Sequence, residues 1–160
     1  LEERHLDREV ITIWRQRAII VNVVFWLVIT AIPVCTALFD WPRFFYWAAA
    51  ILGGLNVIHL ILFVFVFPSI RYRTFFYAIR REDLLIQEGI FVISQIVIPF
   101  TRVQNVETEQ GPLLHKRHLT SVSVTTAADT KEIPALAEQD ALNLRDQISE
   151  LIKENAIHEV

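Results

Sequence analysis

The sequence contains no methionine, one cysteine and four glycines in 160 residues. One cysteine cannot form an internal disulfide, so cross-linking within the chain is excluded and the redox compartment is not betrayed by the count. Four glycines leave no Gly-rich loop to cradle a phosphate. Either the true start lies before Leu1 or Leu1 is itself a translated alternative start. The most informative absence is of charge: between Ala18 and Phe67 the only charged side chains are Asp40 and Arg43. Neither apolar run there has the polar face that a helix pair in a soluble core would show. A cleaved signal peptide would be shorter and would end in small residues. Cys35 follows Ile32-Pro33-Val34, which lacks the small residue expected before a lipid-modified cysteine.

What is there is a pair of spans. Residues 18–39 and 44–67 are apolar runs of 22 and 24 residues, and a hydrocarbon layer about 30 Å thick needs roughly 20 helical residues. The gap Asp40-Trp41-Pro42-Arg43 has room only for a tight turn, so residues 18–67 are expected to form a transmembrane helical hairpin. Arg4, Arg8, Arg15 and Arg17 precede it; Arg71, Arg73, Arg80 and Arg81 follow it; the turn holds Arg43 alone. This distribution predicts a multi-pass membrane protein with both termini cytoplasmic. Trp41, Phe44, Phe45, Tyr46 and Trp47 suit an outer interfacial belt. In residues 1–17, Leu6, Val10, Ile13 and Trp14 follow a helical spacing, which reads either as a short amphipathic cytoplasmic helix or as an extension of the first span.

Inside the spans, Asn22, Asn56 and His59 are the polar residues of interest, and Gly53 and Gly54 contribute to small-xxx-small spacings with Ala49 and Ala50. These five candidates, Asn22, Gly53, Gly54, Asn56 and His59, read as an intramembrane packing face with polar glue. The competing reading is a proton or ion path, because an ionisable group in a membrane is functional by default. One histidine and two amides do not make a relay. Pro33 is expected to kink the first span.

From Arg71 onward the composition changes to 10 Lys or Arg and 13 Asp or Glu. Residues 71–155 suffice for one small domain. Strands are expected at 73–79, 83–87, 90–98, 102–109, 119–127 and 131–133. Glu88-Gly89 marks a hairpin turn, the three-residue spacing of Val103 and Val106 suggests a bulge, and Pro134 ends the last strand. In 119–127, Val122, Val124 and Thr126 are expected on one face and Ser121, Ser123 and Thr125 on the other. Ala137, Ala141, Leu144, Ile148 and Leu151 then mark an amphipathic C-terminal helix. The fold class is therefore a membrane protein with a two-helix transmembrane hairpin followed by an α+β domain.

Ile98-Pro99-Phe100-Thr101-Arg102-Val103-Gln104-Asn105-Val106 and Gln110-Gly111-Pro112-Leu113 closely resemble the bacterial pleckstrin-homology (PH) family once catalogued as a domain of unknown function. Val122-Ser123-Val124-Thr125-Thr126-Ala127 and Ile133-Pro134-Ala135-Leu136 continue the match, as do Ala141 and Arg145. The hairpin ahead of one such domain looks like the YdbS-type membrane proteins. The resemblance implies a PH-like fold, a bent antiparallel sheet or barrel capped by a C-terminal helix, with no catalytic activity, no cofactor and no transferred phosphoinositide site. It also implies partnership with larger membrane proteins bearing several copies of the domain. One departure is Arg117-His118-Leu119, where the family pattern has an aromatic residue, glycine and leucine. His118 therefore falls where a positive φ is expected.

No nucleophile-and-base constellation presents itself. His115 and His118 lack a neighbouring cysteine or carboxylate and are a weak metal signal. A pI of about 6.0 without interleaved basic and aromatic stripes argues against nucleic-acid binding. The candidate contacts to a partner or a lipid headgroup are Arg71, Arg73, Arg80, Arg81, Arg102, Gln104, Asn105, Lys116 and Arg117. For Arg102, Gln104 and Asn105 the alternative is hydrogen bonding to adjacent loops. The expected function is a non-enzymatic membrane-anchored interaction or scaffold protein, assembling with other PH-domain membrane proteins or with itself. The alternatives are an anionic-lipid sensor and an accessory subunit of a transporter or membrane enzyme built around His59.

Overall fold

The structure, a computed structural model, describes residues 3–158. The chain divides into two compact units: residues 11–70 form one, and the residues up to Val10 join those from Arg71 onward in the other.

The first unit is a helical hairpin. Helix α1 (Val10–Phe39) runs unbroken through Pro33. Its end is a Schellman motif: Asp40 adopts a left-handed φ of 52° and the Trp41 N–H returns to the Thr36 carbonyl at 3.2 Å. Pro42 follows, and helix α2 (Phe44–Ile61) begins at once. Trp41 packs against Phe39 and Phe45, with ring centroids 6.2 and 5.2 Å apart. A π-helical turn (Leu62–Val66) and helix α3 (Phe67–Thr74) continue α2 without a break, so Phe44–Thr74 is 31 residues of helix. Both rods are long and apolar enough to cross a membrane. Most of their large apolar side chains lie exposed, Leu27, Trp47 and Ile51 among them, unlike those of a soluble core helix.

The second unit holds two three-stranded antiparallel sheets. Strands β1 (Phe76–Ile79), β2 (Asp83–Glu88) and β3 (Ser94–Pro99) pair in that order. Strands β4 (Val103–Glu109), β5 (Leu119–Thr126) and β6 (Thr130–Ala137) form the other sheet, again in chain order. A corner joins them. Pro99 ends β3, Phe100–Arg102 makes one 3-10 turn, and Phe100 is fully buried with its N–H on the Glu82 carbonyl at 3.0 Å. Helix α4 (Pro112–Lys116) connects β4 to β5, with Pro112 in its first turn, where the missing N–H costs nothing. Helix α5 (Glu138–His158) packs chiefly on β4, β5 and the corner, burying Ala141, Leu144 and Ile148.

Two expectations are corrected. Residues 3–9 are not helical: Arg4 forms an antiparallel bridge to Tyr77, and helix starts at Val10, so Val10, Ile13 and Trp14 extend the first span rather than form a separate amphipathic helix. Both faces of β5 are covered, with Ser121 and Ser123 buried along with Val122 and Val124. Alternation of Ser with Val reported the pleat but not what covers each side. Pro134 does not end β6. It sits at a register shift, and Ala135 next to it takes φ 53°, so proline is accommodated by a bulge. The β4 bulge lies between Val103 and Asn105.

His118 has φ 55°, the left-handed conformation that the departure from the family pattern implied. His118→Gly is expected to stabilise the protein by about 0.5 kcal/mol, the ~1 kcal/mol of left-handed strain less the extra chain entropy that glycine loses. His118→Val, β-branched, is expected to lower stability. Thermal unfolding of the full chain in detergent reads both, and a stabilised valine variant would show the position to be unstrained.

Candidate interaction surface

Two sheets in one small domain leave two seams, and the chain treats them differently. At the seam between β1 and β6 lies the N-terminal segment. Arg4 exchanges backbone hydrogen bonds with Tyr77 of β1, at 2.8 and 2.9 Å, and the Asp7 N–H donates to the Ala135 carbonyl of β6 at 3.2 Å. The bulge at Pro134-Ala135 presents that carbonyl. Leu6, between the two contacts, is buried. Burial here pushes the Tyr77 phenol above its usual pKa, against the lowering influence of Arg4.

Among the described residues no strand closes the seam between β3 and β4. β3 is the outer strand of its sheet and β4 the outer strand of the other, and neither pairs with the other. Between them is a groove of about 670 Å³ bordered by Val97, Arg102, Gln104, Asp129 and Lys131. Val97 is half exposed, Arg102 and Gln104 are exposed, and the rim is polar. Lys131 pairs with Asp129 at 3.1 Å and, with the Thr130 N–H, holds that carboxyl below its ordinary pKa. Unpaired strand edges with apolar and cationic side chains beside them are what strand-addition recognition uses.

The sequence candidates are not gathered into one site. Arg102 and Gln104 border the groove, while Asn105 hydrogen-bonds Glu107 within its own strand rather than an adjacent loop. Arg71 and Arg73 lie on α3, with Arg71 bordering a different hollow beside Gly89 and Val92. Arg80 is engaged by Asp83, and Arg81 borders a third hollow with Glu154. Lys116 and Arg117 end α4. No group of three His, Cys, Asp or Glu side chains suited to a metal occurs among the described residues.

Within the hairpin the structure brings Asn22, Asn56 and His59 together. Asn56 Nδ2 donates to Asn22 Oδ1 at 3.2 Å, and Asn22 Nδ2 donates to His59 Nδ1 at 3.0 Å. An amide nitrogen only donates, so Nδ1 of His59 is the unprotonated ring nitrogen. The His59 ring stacks on Phe63, centroids 4.2 Å apart, and meets the edge of Phe25. Trp26 lies 3.8 Å from where a Cβ on Gly53 would sit, whereas Gly54 has nothing within 4 Å.

A contact that sequence reasoning missed lies nearer the other end of the pair. Pro68 carries no N–H, so the α-helical donor to the Val64 carbonyl is missing. The backbone shifts to the π turn, with the Phe67 N–H on the Leu62 carbonyl, and Arg15 Nε donates to Val64 O at 3.0 Å. The sequence signal was a proline in a helical run opposite an arginine in an antiparallel partner.

The sequence pattern of the Bacterial PH domain family matches residues 17–152. The chain belongs to that family. It is 39% identical over 141 residues to the UPF0699 transmembrane protein YdbS of Bacillus subtilis (strain 168), covering 88% of this chain and 87% of that one. It is 27% identical over 94 residues to the UPF0699 transmembrane protein YdbT of the same organism, covering 58% of this chain but 19% of that much longer protein. No solved structure matches significantly. With a relative named as a transmembrane protein and two exposed apolar helices of sufficient length, this Bacterial PH domain protein is a membrane protein.

Arg15→Met is expected to destabilise the protein by about 1–3 kcal/mol, the cost of an acceptor left without its charged donor. In a Pro68→Ala background the helix regains the N–H, and the same substitution should cost markedly less. A double-mutant cycle by thermal unfolding in detergent measures the coupling; equal costs in both backgrounds would show that Arg15 does not compensate for the proline.

Proposed function

We propose that this protein is a non-enzymatic, membrane-anchored interaction module. It stands at the inner face of a bacterial cell membrane, crosses it twice, and keeps both termini cytoplasmic. Its PH-like domain docks an extended segment of another membrane protein that carries PH-like domains. The observation that supports this most directly is the asymmetry of the two seams: the N-terminal segment stitches one, and the other leaves two strand edges beside a groove. An added strand would gain backbone hydrogen bonds from the edges and selectivity from Val97, Arg102 and Gln104. Anchoring both proteins in one membrane raises their effective concentration, so a weak contact suffices. The orientation is supported by the arginines flanking the hairpin, four on each terminal side against Arg43 in the turn.

Lipid sensing through the basic side chains has less support, because Arg71, Arg81 and Arg102 border three separate hollows and Arg80 is engaged by Asp83. A transporter subunit built on His59 has less support too, because the ring is engaged by Asn22 and two aromatic neighbours.

Tagged full-length protein purified from its native membrane in mild detergent is expected to retain a stoichiometric membrane protein with PH-like domains. The double variant Val97→Asp, Arg102→Glu, both at exposed positions, should lose that partner by roughly tenfold or more, equivalent to about 1.4 kcal/mol, with unfolding temperature unchanged. Recovery of wild-type monomer alone, or full retention by the variant, sinks the reading.

A further inference from the structure

The hairpin between β2 and β3 ends in residues whose exposure the fold does not require. Phe91, Val92 and Ile93 are 83, 77 and 56% exposed. Phe91 is the most exposed large apolar side chain among the described residues, those of the two spans included. Turns of this length normally take polar residues, and a run of exposed apolar residues is a fault unless it has a use. The turn is also specifically built. Gly89 has φ 151°, and a Cβ there would run into the Val92 carbonyl.

The turn is fastened to the helix that leaves the membrane. Thr74 Oγ1 donates to the Gly89 carbonyl, and Gln87 Nε2 donates to the Thr74 carbonyl at 3.0 Å. Arg71 borders one hollow with Glu88, Gly89, Ile90, Val92 and Ser94. Thr74 and Arg71 belong to α3, which continues the second span. Thr74 is seven residues past Phe67, where the apolar run ends, or about 10 Å at 1.5 Å per residue. The headgroup layer on each side of a bilayer is roughly 5–8 Å deep, and a loop held at both ends by the Glu88–Ser94 pair carries its tip about two extended residues out, up to ~7 Å. An attachment point at Thr74 therefore leaves the tip of the loop within reach of the headgroup layer, with its apolar side chains toward the acyl boundary. Arg71 and Arg73 stand on the same helix, where cationic side chains favour anionic headgroups.

We propose that residues 90–93 are a membrane-inserting loop. Phe91, Val92 and Ile93 enter the headgroup–acyl boundary of the leaflet at the C-terminal end of the second span, with Arg71 and Arg73 facing lipid phosphates. A protein occupant is disfavoured by size, because three side chains fall far short of the ~800 Å² per partner that a stable protein interface takes. The loop is distinct from the β3/β4 groove, so this inference stands or falls separately from the proposed docking function.

The test uses the full chain with Cys35→Ser and one new cysteine, Val92→Cys, carrying an environment-sensitive nitrobenzoxadiazole label. It is reconstituted into vesicles of phosphatidylethanolamine and phosphatidylglycerol. Glu150→Cys, exposed on α5, is the aqueous comparator, and Phe91→Cys is a second loop site. The loop labels are expected to show blue-shifted emission, quenching by doxyl-labelled lipid, and iodide quenching several-fold weaker than at 150. Adding Ile93→Asp to the Val92→Cys protein should reverse these signals. Equal iodide quenching at loop and comparator overturns the proposal. So does protection that lipid quenchers cannot reach and that rises with protein-to-lipid ratio, which would place the loop against a second copy.

Discussion

Polar atoms removed from water must find partners within the protein, and that requirement shapes both units. No buried side-chain nitrogen or oxygen among the described residues lacks a hydrogen bond. In the hairpin the amides of Asn22 and Asn56 and the ring of His59 satisfy one another across the helix pair, while Thr30 and Thr36 bond back to carbonyls of their own helix. Such contacts are individually worth only about 0.6 kcal/mol on average in a membrane. Their larger effect is on register, since any slide of one helix past the other would strand amides in an apolar medium. Arg15 serves the same rule at a backbone site, where Pro68 has withdrawn a donor.

In the PH-like domain the same rule acts on strand edges. Two three-stranded sheets expose four edges where one continuous closed sheet would expose none. The N-terminal segment satisfies part of β1 and reaches β6, and it can do so because the Pro134-Ala135 bulge turns a carbonyl outward. The segment that leads into the first span is thereby a component of the domain that follows the second. Among the described residues β3 and β4 receive no such cover.

Motifs that carry the family resemblance turn out to be mostly architectural. Ile98 through Val103 makes the corner between the sheets, with Phe100 as its buried plug. Gln110 ties the α4 connection to β5 by donating to the Leu119 carbonyl. Pro134-Ala135 makes the bulge. Arg102 and Gln104 were legible as interesting polar residues, but their place beside a groove was not, because the groove also needs Val97, Asp129 and Lys131 from other parts of the chain. The Asn22–Asn56–His59 set was legible as a packing candidate because an apolar run makes every polar residue conspicuous.

The sequence by itself determined the membrane hairpin, the order of strands and helix and the bulge in β4. Each is a local property, set by the length of an apolar run or a period of two or of 3.6, whereas the left-handed position at His118 was legible only through the family resemblance. Tertiary structure alone decided the rest. It buried the serine face of β5, drew Arg4 onto β1, passed β6 through Pro134, and left the β3/β4 seam and the 90–93 loop exposed. Those outcomes depend on which distant segments meet, and periodicity within one segment carries no record of what is laid against it.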